Sequence, residues 1–130
     1  MIAVDTNVLV RLLANDDRVQ SPRAAELFSS EDVYISKTVL LETEWVLRFS
    51  YGFARAAIWA AFDRMLSAAS VTIEDAVAVR AAVDGHGAGM DLVDGLHLFS
   101  GEGIDKFVTF DRKLVRQARR ARVAKPIQVL

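Results

Sequence analysis

Twice in this chain a short apolar run ends at an aspartate that opens a helix. Ile2-Ala3-Val4 runs into Asp5 ahead of a helix from about Asn7, and Lys106–Thr109 is followed by Phe110-Asp111 and a helix from Arg112. Strands that alternate with helices imply parallel pairing, because a parallel neighbour is reached only through a crossover, usually helical. In such a sheet, ligands bind outside the carboxyl ends of the strands, so Asp5 stands where a site crevice is expected. Asp, Thr and Asn also cap helix N-termini, and Asp5-Thr6-Asn7 offers all three. Asp5 alone reads as a cap; acids recurring at equivalent points would make it more.

The segments between follow the same alternation. Ser21-Pro22 supplies an N-cap and a first-turn proline for a second helix to about Ser30. Val33–Ser36 reads as a strand, Lys37–Ser50 as a third helix stopping near Tyr51-Gly52, and Ala54–Ala69 as a fourth. In the fourth, Ile58, Phe62, Met65 and Leu66 make a buried stripe with Trp59 beside it. Val71–Ile73 is a strand, Glu74/Asp75 open a helix ending at Asp84-Gly85, and Gly85–Gly89 reads as a flexible connection. Asp91-Leu92-Val93-Asp94 begins a helix through about Gly101, with both carboxylates on one face of its first turn. His97, one turn on, reads as a hydrogen-bonded structural histidine, and Pro126–Leu130 as an edge strand. The expected architecture is one α/β domain over 1–130, with a central parallel sheet of about four to five short strands flanked by helices.

Composition removes several functions. There is no cysteine, and His86 and His97 lack the spacing of a zinc pair, so any metal is held by oxygen. No apolar stretch approaches the roughly 18 residues that span a bilayer, so no membrane role and a cytoplasmic location are expected. The net charge of −1 averages over an uneven distribution. Arg112, Lys113, Arg116, Arg119, Arg120, Arg122 and Lys125 occur without an intervening acid, which suits phosphate contact as well as a solvated helix face.

Glu42 shares a helical face with Val39, Val46 and Phe49 and is expected within an apolar stripe. A lone buried carboxylate must be protonated, paired or bound to a cation, so Glu42 reads as functional. Glu44, four residues before Arg48, reads as half of an exposed pair. Asp5, Glu42, Asp94 and Asp111 brought to one sheet edge would repel one another unless a divalent cation neutralised them. All-oxygen ligation suits Mg²⁺ or Mn²⁺. Such cations bind phosphate oxygens, activate water and stabilise a leaving oxygen, which points to phosphodiester hydrolysis.

Asp5-Thr6-Asn7 after a strand, Glu42 followed by Trp45-Val46-Leu47, the Asp91-x-x-Asp94 helix start and Thr109-Phe110-Asp111 closing a strand resemble the PIN-domain nucleases. The likeness spans essentially the whole chain and is nearest to VapC-type toxins of bacterial toxin–antitoxin pairs. It implies a Mg²⁺- or Mn²⁺-dependent endoribonuclease that cuts structured RNA such as tRNA and is neutralised by a cognate antitoxin. It places Asp5, Glu42, Asp94 and Asp111 on the family's catalytic, metal-holding acids, Asp91 on a frequent fifth ligand, and Thr6, Asn7 and Thr109 on supporting positions. Arg112, Lys113 and Arg116 are then the RNA-binding candidates. The family's usual homodimer gives Trp45, Tyr51 and Trp59 an interface role, with Phe62 a further candidate because the core of so small a domain is not expected to hide Trp45, Trp59 and Phe62 together.

Other enzyme and non-enzyme plans fit less well. A haloacid-dehalogenase-like phosphatase needs a second aspartate where Asn7 stands, and a receiver-like signalling domain needs a lysine after a late strand, whereas Lys106 precedes its strand. A solitary RNA-processing PIN nuclease shares the same chemistry as the toxin.

Overall fold

The computed structural model describes all 130 residues as an α/β domain of seven helices and five short strands. In chain order these are β1 (Ile2–Ala3), α1 (Thr6–Ala14), α2 (Gln20–Ser30), β2 (Val33–Ile35), α3 (Lys37–Phe49) and α4 (Arg55–Leu66). Then come β3 (Val71–Ile73), α5 (Ala76–Gly87), α6 (Leu92–Phe99), β4 (Phe107–Thr109), α7 (Arg112–Arg120) and β5 (Ile127–Val129). Every strand pairing is parallel, as the alternation requires.

The expected single sheet is divided. β1-β2-β3 form one sheet, with Ile2 beside Val33 and Val33 beside Val71, while β4 and β5 pair separately with Phe107 beside Ile127. The physical reason is that there are two cores. Leu9, Val33, Ile35, Leu40, Leu47, Ile58, Phe62 and Val83 belong to the large cluster under the first sheet. Met90, Leu98, Leu114 and Ala118 form a second, against which Phe107, Val123 and Ile127 pack. The β4–α7–β5 unit therefore anchors on its own apolar seam. With only Ile2 and Ala3 in ladder geometry, β1 pairs with β2 alone.

The boundaries of α2 and α5 differ from the sequence reading. Helix α2 starts before Ser21, because Asp17 Oδ1 accepts from Val19 N at 2.9 Å and Gln20 N at 2.7 Å and so satisfies the first-turn donors. Those two bonds, with the nearby Arg11 charge, outweigh slight desolvation and hold the Asp17 carboxyl below its ordinary pKa. Ser21 is instead buried inside the helix, its Oγ accepting from Asp17 N. Helix α5 continues through Gly85-His86-Gly87 rather than stopping at Asp84. Gly87 permits that path, since a Cβ there would lie 2.6 Å from Trp59 Cδ1.

On α3 the buried stripe is Leu40, Thr43, Glu44 and Leu47, at i, i+3, i+4 and i+7. Glu42 is exposed and Glu44 is buried, the reverse of the expectation. Two polar residues disguise the true stripe, while Trp45 and Phe49, 53% and 60% exposed, mimic one on the open side.

Candidate active site

Three of the five candidate acids cap helices. Asp5 Oδ1 accepts from Val8 N at 3.2 Å at the start of α1, and Asp91 Oδ1 accepts from Val93 N at 2.8 Å at the start of α6. Asp111 Oδ1 accepts from Lys113 N at 2.9 Å and Leu114 N at 3.1 Å at the start of α7, while Thr109 Oγ1 takes the Asp111 amide at 3.0 Å. Each cap uses one carboxylate oxygen, so the helix terminus orients the group and leaves Oδ2 without a protein partner. Capping and ligation are therefore compatible in the same residue.

Asp94 is different. It lies half-buried in the first turn of α6 and makes no side-chain hydrogen bond. Burial pushes its carboxyl above the ordinary aspartate range, and the charges of Asp91 and Asp111 push it further, against a smaller pull from His97 and Lys113. Asp91, Asp94 and Asp111 thus form one electrostatic group at the junction of α6, β4 and α7.

Glu42 shares a groove with the chain neighbour of Asp94 but with none of these three aspartates. It lines a groove of about 360 Å³ with Thr38, Leu41, Trp45 and Val93, the last being the neighbour of Asp94. Asp5 faces a different groove, about 500 Å³ between α1 and α2, lined also by Asn7, Arg11, Gln20 and Arg23. Thr6 is buried behind Asp5 and Asn7 is exposed. The expected convergence of all the acids on one point is not realised, and no three carboxylates stand close enough to enclose a cation by themselves. The donor set nonetheless suits a hard divalent ion, because all the donors are carboxylate oxygens and like charges press on a half-buried Asp94. Mg²⁺ in particular keeps several waters and needs only one or two protein carboxylates.

Basic residues border the acids. Arg112, Lys113, Arg116, Arg119 and Arg120 are exposed on α7 and form no ion pair, whereas Lys125 is engaged, donating to Leu98 O and Ser100 O. His97 is exposed and unbonded, not a tethered structural histidine, because its face of α6 points to solvent.

Sequence reasoning missed a buried polar knot beneath the site. Glu44, 3% exposed, accepts from Arg48 Nε at 2.7 Å and lies 3.2 Å from His86 Nε2, with His86 2% exposed. Burial, the largest influence, raises the Glu44 carboxyl, but the hydrogen bonds and charges of His86 and Arg48 together outweigh it and leave the group below its ordinary value. Accepting at Glu44 calls for the proton on His86 Nε2, which leaves Nδ1 buried and without a partner. The Arg48 contact is legible as an i, i+4 pair, but nothing in the sequence links Glu44 to a histidine 42 positions away.

The aromatic interface candidates separate. Trp45 is exposed, its ring 5.3 Å from Phe49, and the Arg48 guanidinium lies 4.3 Å over Phe49. Tyr51 is half-buried and its hydroxyl accepts from Arg11 at 2.9 Å; Trp59 packs on the main core and donates to Asp84 at 3.2 Å. Phe62 is fully buried and cannot be an interface residue, because its face of α4 fills the main core. No helix is long and apolar enough to cross a membrane.

Comparison with protein-family models matches residues 2–120 to the PIN domain. Comparison with curated proteins and with solved structures returned no match.

Proposed function

Belonging as it does to the PIN-domain family, whose members are in general metal-dependent nucleases, the chain is one that we propose to be a Mg²⁺- or Mn²⁺-dependent endoribonuclease, the toxin of a type II toxin–antitoxin pair. The observation that carries the reading is Asp94: half-buried, unbonded, and raised by burial and by the flanking Asp91 and Asp111. A half-buried aspartate with no protein partner and two further carboxylates nearby is a candidate ligand for a cation.

Asp94, with Asp91 or Asp111 beside it, would hold the divalent ion, water completing the ligand set, and Glu42 and Asp5 are the remaining acids. When bound, such an ion lowers the pKa of water and neutralises charge on a phosphate. The rest falls to the protein. The free oxygens of Asp91 and Asp111 are held in place by helix N-termini, and Thr109 fixes the backbone under Asp111. Arg112, Lys113 and Arg116 attract the RNA backbone to the end of α7 where the acids lie. Structured RNA such as tRNA and a neutralising antitoxin belong to this proposal, as does a homodimer through the exposed Trp45 face of α3.

The test incubates purified protein with total RNA in Mg²⁺ or Mn²⁺ and in chelator, beside Asp94→Asn. Cation-dependent cleavage by wild type alone is expected; cleavage that persists in Asp94→Asn overturns the assignment. Expression should arrest growth, and co-expression of a short adjacent gene should relieve it. Cleavage without growth arrest would favour a solitary RNA-processing nuclease.

A further inference from the structure

The turn that presents Asp91 and Asp94 is fastened by a residue outside the acid set. Arg55, the first residue of α4, donates through Nη1 to His86 O at 2.7 Å and to Met90 O at 3.0 Å. These carbonyls lie on either side of the turn from α5 to α6. His86 O, near the C-terminus of α5, also accepts from Gly89 N at 3.1 Å, and Met90 O immediately precedes Asp91, the N-cap of α6. A cation at the C-terminus of α5 is also favoured by that helix's dipole. The same turn is held from beneath by the His86–Glu44 contact. Those bonds leave the acid-bearing start of α6 little freedom to rotate.

We propose that Arg55 is a positioning residue: by bridging His86 O and Met90 O across the α5–α6 turn, it sets the placement of the Asp91 and Asp94 carboxylates. The role rests on the nuclease reading for its consequence, but its physical basis is the bridge itself. A carboxylate misplaced by about 1 Å is enough to weaken a cation or slow a reaction. Arg55 does not touch the acids and is not a catalytic residue. Its loss should loosen ion binding more than it lowers the rate once the ion is saturating.

Arg55→Ala is measured in two ways. In metal-free protein, hydrogen exchange should quicken at amides 88–95 and stay at wild-type rates in β1, β2 and α1. By calorimetry and in cleavage assays, the Mn²⁺ concentration at half-saturation should rise at least threefold, while the rate at saturating Mn²⁺ stays within about twofold. Arg55→Lys keeps the charge but lacks the guanidinium's fixed plane, and should recover part of both effects. It carries the same test if Arg55→Ala does not fold. A general loss of stability would quicken exchange everywhere and lower the amount of active protein without moving half-saturation. An unchanged half-saturating concentration overturns the proposal even if the turn exchanges faster. If wild type neither binds Mn²⁺ nor cuts RNA, the nuclease reading fails, and exchange alone judges the clamp: local release upholds it, and unchanged exchange overturns it.

Discussion

Glu42 and Glu44 lie two residues apart on one helix, and their substitution should have opposite consequences. Glu44→Ala removes the acceptor for Arg48 Nε at 2.7 Å and for His86 Nε2 at 3.2 Å, and leaves His86 buried with neither ring nitrogen partnered. Breaking a buried charged pair costs about 3–5 kcal/mol, and an orphaned buried donor alone about 1–3 kcal/mol. Arg48 is 38% exposed, so solvent recovers much of its share and the lower end applies, about 3–4 kcal/mol. At roughly 4 °C per kcal/mol for a domain of this size, the melting temperature should fall by about 12–16 °C. Glu44→Gln keeps an acceptor oxygen and should lose about 1–2 kcal/mol. Exposed Glu42 has no such partners, so Glu42→Gln should change stability by less than about 0.5 kcal/mol while cutting Mn²⁺-dependent cleavage sharply. The assay is urea and thermal unfolding of the three variants in chelator, then RNA cleavage at a temperature where each is folded. Glu44→Ala within about 1 kcal/mol of wild type would refute the buried knot. Loss of cleavage in folded Glu44→Gln with Glu42→Gln fully active would exchange their roles.

Asp94 binds its proton more tightly folded than unfolded, so it lowers stability as pH rises through and above the ordinary aspartate range; Asp94→Asn should therefore raise the melting temperature in chelator at neutral pH, and a lowered value would contradict the electrostatic grouping. Glu44, held below its ordinary value, contributes stability that is present above the ordinary glutamate range and lost on further acidification, so Glu44→Gln should flatten the acid limb of a stability–pH curve. Removing Arg112, Lys113 or Arg116 should weaken RNA binding at every sequence and reduce the slope of log affinity against log salt by roughly one per phosphate contact, whereas an unchanged slope would leave α7 a solvated face. Light scattering should find a dimer at micromolar concentration that Trp45→Glu converts to monomer; a wild-type monomer would remove the dimer.

The fold was legible wherever one residue type settles a local question. The strand–helix alternation gave the parallel pairing, and Asp5 and Asp111 each cap the helix their position announces. Phase on a mixed helix was harder to read. Burial of α3 is decided by what His86 and Arg48 offer to Glu44, and a tertiary partner does not appear in the periodicity of a single segment. The division of the sheet was invisible for a similar reason: whether β4 joins β1 depends on the separate seam that Leu98, Leu114 and Ala118 provide.

The acids of the site were ambiguous because one carboxylate can serve two purposes. Asp5, Asp91 and Asp111 do cap helices, and the capping explanation is correct for each. A cap employs one oxygen, however, and the helix N-terminus that donates to it also steadies the negative charge that a ligand must carry. Asp94 escapes the ambiguity, since it caps nothing, bonds nothing and is pressed by two neighbours of its own sign. Its i, i+3 spacing from Asp91 is visible in the sequence, but its burial and the approach of Asp111 arise only when α6 and α7 dock together through Leu98 and Leu114. The packing that completes the second core therefore also brings the acids under tension, and a substitution that loosens that seam should relax Asp94 before it unfolds the domain.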